Sequence, residues 1–137
     1  MSRTWSNSSD NNLLTCDPKL EWLMIKVRDE VADISILEGY RDEARQNQMF
    51  DEGKSTLRFP DGKHNVYPSC AVDIRPYPVP RSKKKLWASL AYIAGRAIEI
   101  GKQNDIKVRW GGDWNMNGDL TDQNFDDLYH LELLLDT

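Results

Sequence analysis

Covalent bracing is scarce in this chain. Its 137 residues include two cysteines, Cys16 and Cys70, whose separation matches neither a C-x-x-C redox pair nor a zinc-finger spacing. Both are expected to be free thiols, with a Cys16–Cys70 bridge as the alternative. Long apolar runs are missing too: the longest, Trp22 to Ile25 and Leu133 to Leu135, fall far short of the roughly 20 residues a membrane helix needs. Positive charge is not in excess. Eighteen Lys and Arg stand against 22 Asp and Glu for a net charge of -4, which excludes a general polyanion binder and, with it, nucleic acid as a partner. The opening MSRTWSNSSDNN has no apolar h-region, so synthesis as a cytosolic protein is expected, with any export needing outside help. No repeat, low-complexity tract or Gly/Ser linker divides the chain. Its length fits one domain, residues 1–137, able to fold alone and expected to act as a monomer.

What is present is an alternation of helical and extended patterns. Asp17-Pro18 is an N-cap followed by Pro at N1, and Leu20, Leu23, Val27 and Val31 then share one stripe, predicting a helix to about Ala32. Ser9 is expected to cap a short helix over Asp10 to Thr15. Asp33 to Glu38 has the β-branched character of a strand, and a polar helix is expected from Arg41 to about Glu52, stopped by Gly53. Leu57 to Ser69 reads as an irregular loop running into a short strand, Ala71 to Arg75. Ser82 should cap the longest helix, ending near Gln103, with Leu86, Leu90, Ile93, Ala94, Ala97 and Gly101 toward a sheet and Lys83, Lys84 and Lys85 in solvent. Lys107 to Trp110 and Leu128 to Leu135 complete the strands. The fold class is therefore α+β: a small, largely antiparallel sheet with helices segregated to one side. Trp22 and Trp87 are expected in its core.

The chain has only two histidines, His64 and His130. His64 lies in the irregular loop, Asp73 on the strand after it, and His130 near the start of the last strand. Two nitrogens and one carboxylate can make a three-ligand site with a position left for water, the pattern of a catalytic zinc. Two surface histidines beside an ordinary aspartate would satisfy the same spacing.

Four strings weigh on that choice: GYRDEARQ (Gly39 to Gln46), KHNVYPSCAVDIRPYP (Lys63 to Pro78), VRWGGDWN (Val108 to Asn115) and DLYHLEL (Asp127 to Leu133). In this order they resemble the zinc peptidases that act as D-alanyl-D-alanine carboxypeptidases or L-alanyl-D-glutamate endopeptidases, single-domain phage endolysins included. The likeness runs from Asp17 onward and implies the fold shared with the hedgehog signalling domain. It implies zinc on His64, Asp73 and His130, proton transfer by Asp127 (with Asp126 as close competitor), and a cation, Arg41, near the scissile carbonyl. Gln46, Glu132, Trp110 and Trp114 are then expected on the substrate side or in support, Glu132 by orienting His130.

Two departures stand out. Eight residues separate His64 from Asp73 where six is the common family spacing, an insertion placed around Asn65 to Ser69. Gly62 replaces the serine expected two positions before the first ligand. Cys70, close in sequence to the ligands, should face away from Asp73 by strand alternation. A second cation is also expected: Asp113, Asn115, Asn117, Asp119 and Asp122, with Gly118, read as the start of an EF-hand-like calcium loop, although Asn124 stands where the closing Glu belongs. The resemblance implies an endolysin that cuts the L-alanyl-D-glutamate bond of the peptidoglycan stem peptide, accumulating in the host bacterial cytoplasm and acting in the periplasm after release. A D-alanyl-D-alanine carboxypeptidase, or a non-catalytic hedgehog-like metal-binding module, are the alternatives.

Overall fold

The computed structural model describes residues 5–135; the first four residues of the polar amino-terminal segment and the last two of the chain lie outside them. In chain order the elements are α1 (Asn7–Leu13), α2 (Pro18–Glu30), β1 (Ile34–Glu38), α3 (Glu43–Asp51), a 3-10 turn (Lys63–Asn65), β2 (Ala71–Pro76), α4 (Lys83–Gln103), β3 (Val108–Gly111) and β4 (Asp127–Leu133). The strands form one sheet in the order β1-β2-β4-β3, each neighbouring pair antiparallel. This is the α+β class expected.

The caps explain most of the boundaries. Asp17 accepts from the Lys19 amide at 2.9 Å with Pro18 at the first helical position, and Ser82 accepts from the Lys85 amide at 3.1 Å, both as expected. Two starts differ. The first helix is capped by Ser6, not Ser9. Ser9 is buried within it, and its hydroxyl accepts from the Ile36 amide at 2.9 Å, tying α1 to β1. The third helix begins at Glu43 because the Asp42 carboxylate caps it, accepting from the Arg45 amide at 2.9 Å. Arg41 is thereby left outside the helix, where its backbone amide donates to the His64 carbonyl at 2.8 Å.

Alternation along the strands sorts the two faces of the sheet. Val72 and Ile74 of β2, Val108 and Trp110 of β3, and Leu131 and Leu133 of β4 enter the core with Leu20, Leu23, Met24 and Val27 of α2 and Ile93, Ala94 and Ala97 of α4. The residues between them, Asp73, Arg109, His130 and Glu132, project from the other face. Cys70 belongs to the core cluster, opposite Asp73 as expected. Both cysteines are free and buried, and burial pushes the Cys16 thiol up to about 12, which leaves almost no thiolate near neutral pH.

The two tryptophans expected in the core are not there. Trp22 sits beside the buried stripe of α2, 37% exposed, with the Lys26 ammonium 5.5 Å from its ring. Trp87 lies one turn before Leu90, where burial of the α4 stripe begins, and is 53% exposed.

Candidate metal centre

Strand pairing brings the two ligand-bearing segments together. In the β2–β4 register Asp73 stands opposite His130 and Ala71 opposite Glu132, so carboxylate and imidazole meet on the face away from the core. The third side chain comes from the 3-10 turn. His64 is buried, and its Nδ1 donates to the Gly39 carbonyl at 2.7 Å. That bond turns Nε2 toward Asp73 Oδ1, 3.2 Å away, while His130 Nδ1 reaches the same oxygen at 3.3 Å. One donor atom from each of the three lies within 4.8 Å of the other two. Among the described residues no other group of three or more His, Cys, Asp and Glu converges in this way.

The remaining nitrogen of each imidazole is also engaged, and this tests whether a cation fits. A carbonyl only accepts, so His64 Nδ1 carries the proton and Nε2 of a neutral ring presents a lone pair to a carboxylate oxygen. His130 is held likewise, with Nε2 2.9 Å from Glu132 Oε1 and Nδ1 aimed inward. Three lone-pair donors facing one point are stable only around protons or a metal ion. Without metal the cluster holds a proton: burial opposes charge on His130, but hydrogen bonds to Asp73 and Glu132 outweigh it and raise its pKa to about 9. Asp73 is held well below the usual carboxylate range, the two imidazoles overcoming its burial. An N2O donor set with both histidines oriented by outer partners suits a divalent ion such as zinc.

Arg41 is built into the wall of this site. Its Nε and Nη2 donate to the two oxygens of Glu38, both at 3.0 Å, Nη2 also to Asp73 Oδ2 at 3.1 Å, and Nη1 to Gln46 Oε1 at 3.1 Å. One Nη1 hydrogen stays outside these bonds among the described residues. Gln46 is 1% exposed and spends both ends of its amide: Oε1 accepts from Arg41 and from Asn65 Nδ2 at 3.2 Å, and Nε2 donates to Ser55 Oγ at 3.0 Å and the Leu57 carbonyl at 2.6 Å. Asn65 also donates to the Arg41 carbonyl at 3.0 Å and accepts from the Gly62 amide at 2.9 Å. Replacing Gln46 with alanine leaves several buried polar groups unpaired. We expect a loss of about 1–3 kcal/mol in stability, read by denaturant unfolding, with reduced turnover as Arg41 loosens.

A cleft of about 710 Å³ opens over the cluster, and Asp127, Trp114, Tyr129 and Arg109 share its lining with Arg41 and Gln46. Asp127 is half-buried, and burial together with the charge of Asp73 raises its pKa. Asp126, the competitor, lies outside this cleft and is bonded to Gln123 Nε2 at 2.6 Å. The β3–β4 pairing fixes the start of β4: Gly111 stands opposite Asp127, and a Cβ there would run into the Asp127 carbonyl. Glu132 bridges His130 and Arg109, whose Nη2 donates to Glu132 Oε2 at 2.8 Å. Trp114 lies on the cleft side, its ring centroid 5.5 Å from that of His130.

Two expectations need correction. Trp110 is a core residue on the opposite face, its indole N–H donating to the Leu128 carbonyl at 2.8 Å, so it braces β3 and β4 instead of meeting substrate. The calcium loop finds no support. Asp113 accepts from the amides of Asn117 and Gly118, and Asp122 accepts from the side chains of Asn115 and Asn117. The loop's own donors thus occupy its acidic oxygens, which do not converge. Glu38, Asn65 and Arg109 were not singled out from the sequence; Asn65 and Arg109 act through partners 24 and 23 residues away that only the folded chain brings near.

Taken together, the sheet, the carboxylate between two oriented imidazoles and the arginine at the cleft wall define a metallopeptidase-type α+β domain. The chain belongs to the phage L-alanyl-D-glutamate peptidase family, whose sequence profile matches residues 1–134. It is 30% identical over 127 residues to the L-alanyl-D-glutamate peptidase of Escherichia phage T5, covering 90% of each chain. Its fold is similar to the crystal structure of the Serratia marcescens L-Ala D-Glu endopeptidase ChiX, with a TM-score of 0.71 at 26% identity over 95% of this chain and 89% of the other.

Proposed function

We propose that this protein is a zinc-dependent peptidoglycan endopeptidase that hydrolyses the bond between L-alanine and D-glutamate in the stem peptide, lysing the bacterial host of a phage. The observation that carries the reading is the convergence of His64 Nε2, Asp73 Oδ1 and His130 Nδ1 beneath an open cleft, in a chain of this family. The names of the relatives favour this bond over a terminal D-alanyl-D-alanine bond. Its phage family favours action at the wall, in the periplasm, after release from the host cytoplasm.

A divalent ion on these ligands supplies a Lewis acid for the scissile carbonyl and lowers the pKa of the attacking water. The chain's own groups do the rest. Gly39 and Glu132 hold the two imidazoles in their tautomers. An Asp127 oxygen takes the proton of the attacking water and delivers it to the departing amide nitrogen, work suited to a carboxylate whose pKa is raised by burial. Arg41, locked by Glu38, Gln46 and Asp73, presents its remaining Nη1 hydrogen toward the charge that builds on the carbonyl oxygen. To test the reading, zinc-loaded protein is incubated with purified peptidoglycan and the released fragments are sequenced by mass spectrometry. New amino-terminal D-glutamate is the expected product. New termini elsewhere, free D-alanine alone, or none would refute it.

A further inference from the structure

A second concavity lies beside the cleft. A hollow of about 300 Å³ is lined by Trp87, Leu90, Asp126, Asp127, Leu128 and Tyr129, and two of these, Asp127 and Tyr129, also line the cleft. The hollow is thus a bay adjoining the cleft at the carboxylate assigned to proton transfer, on the side of β4 where α4 packs. Its wall is the indole of Trp87, more than half exposed on α4. Its rim carries Asp126, which bonds Gln123 Nε2 through Oδ1. Apolar ring faces beside a few polar groups that fix orientation are the usual make-up of a small-ligand pocket.

Charge separates the two ends of the substrate. A glutamyl residue has two carboxyl groups and a linear chain consumes one, so the D-glutamate side of the scissile bond carries at least one free carboxylate. The L-alanine side is neutral, and in peptidoglycan that alanine is joined through a lactyl group to a ring of the glycan strand. The main cleft is lined by four cations, Arg41, Lys54, Lys63 and Arg109, and four carboxylates, Asp61, Asp73, Asp127 and Glu132. The side bay is lined by two carboxylates and no cation, and so repels the glutamyl end and suits the neutral one.

We propose that the Trp87 bay is a subsite for the sugar ring to which the scissile L-alanine is attached, with the indole as its platform and Asp126 as acceptor for its hydroxyls. This rests on the peptidoglycan reading above. Binding energy from such a remote, unreacting part of the substrate appears in kcat/KM only when that part is present.

The test compares two substrates with the zinc-loaded full chain: a disaccharide-linked stem tetrapeptide, and the same tetrapeptide with its alanine N-acetylated in place of the sugar. Trp87→Ala is expected to lower kcat/KM on the sugar-linked substrate about tenfold, the scale of one aromatic contact, and to leave the acetylated peptide within about twofold. Trp87→Phe, which keeps a ring, should recover most of the loss, and Asp126→Asn should lower only the sugar-linked rate. An equal loss on both substrates, or none on either, overturns the subsite while leaving the peptidase reading intact. A wild-type protein that cleaves neither substrate refutes the peptidase reading and the subsite with it.

Discussion

Asp73→Ala protein is expected to emerge from purification without stoichiometric metal and without measurable peptidoglycan hydrolysis. Asp73 joins both imidazoles to the arginine: Oδ1 faces His64 and His130, and Oδ2 takes the Arg41 guanidinium. Removing it deletes one of three donors and also leaves Arg41, partly neutralised by this carboxylate, facing two imidazoles. Loss of an outer partner alone costs roughly 10–100-fold in metal affinity, and loss of a ligand from a three-donor site should exceed that range. Metal analysis by mass spectrometry, beside far-ultraviolet circular dichroism to show that the sheet survives, checks the result. Retained metal at wild-type stoichiometry would place the ion elsewhere.

The second large effect separates binding from proton transfer. Asp127→Asn should keep its metal and its fold yet lose about 10²–10⁴-fold in kcat, the usual worth of a positioned general base. An amide cannot accept the proton of the attacking water, while it fills the same space where β4 begins beside Gly111. Asp126→Asn should leave turnover of the acetylated peptide unchanged, because Asp126 does not line the cleft. Steady-state kinetics on that peptide with all three proteins decides between the two aspartates. A fall in kcat for the Asp126 variant and none for the Asp127 variant would reverse the assignment.

The ligand set was legible through the resemblance of four strings to a known family, and strand alternation added only the facing of a few side chains. It placed Glu132 on the same side as His130, and Cys70 on the side opposite Asp73. The same rule separates Arg109 from Trp110, and it places the tryptophan inside with Val108, although the WGG motif had drawn both Trp110 and Trp114 toward the site. Three partners were not legible: the Gly39 carbonyl that fixes His64, the Asn65 side-chain amide that bonds the Arg41 carbonyl, and Glu38, whose carboxylate takes two guanidinium nitrogens. Each depends on how a loop closes, and no local period encodes that. Asn65 lies in the loop between His64 and Asp73, so that loop supplies a brace for Arg41 and Gln46.

The acidic loop shows the opposite failure. Its Asp, Asn and Gly spacing fits an ion-binding turn, yet the same short side chains also bond to their own backbone. Asp113, Asn117 and Asp119 do so, accepting from amides two to five residues on. Exposed Trp22 and Trp87 likewise follow from register along a helix, where one residue's rotation decides between core and solvent. For Trp87 that exposure puts the indole on the wall of the bay that shares Asp127 and Tyr129 with the cleft.

The most direct test of the metal centre is an anomalous difference map collected at the zinc edge from crystals of the zinc-loaded protein. The account predicts one strong peak about 2.0–2.2 Å from His64 Nε2, Asp73 Oδ1 and His130 Nδ1. A map with no peak there, or with its zinc bound to any other set of side chains, would contradict it.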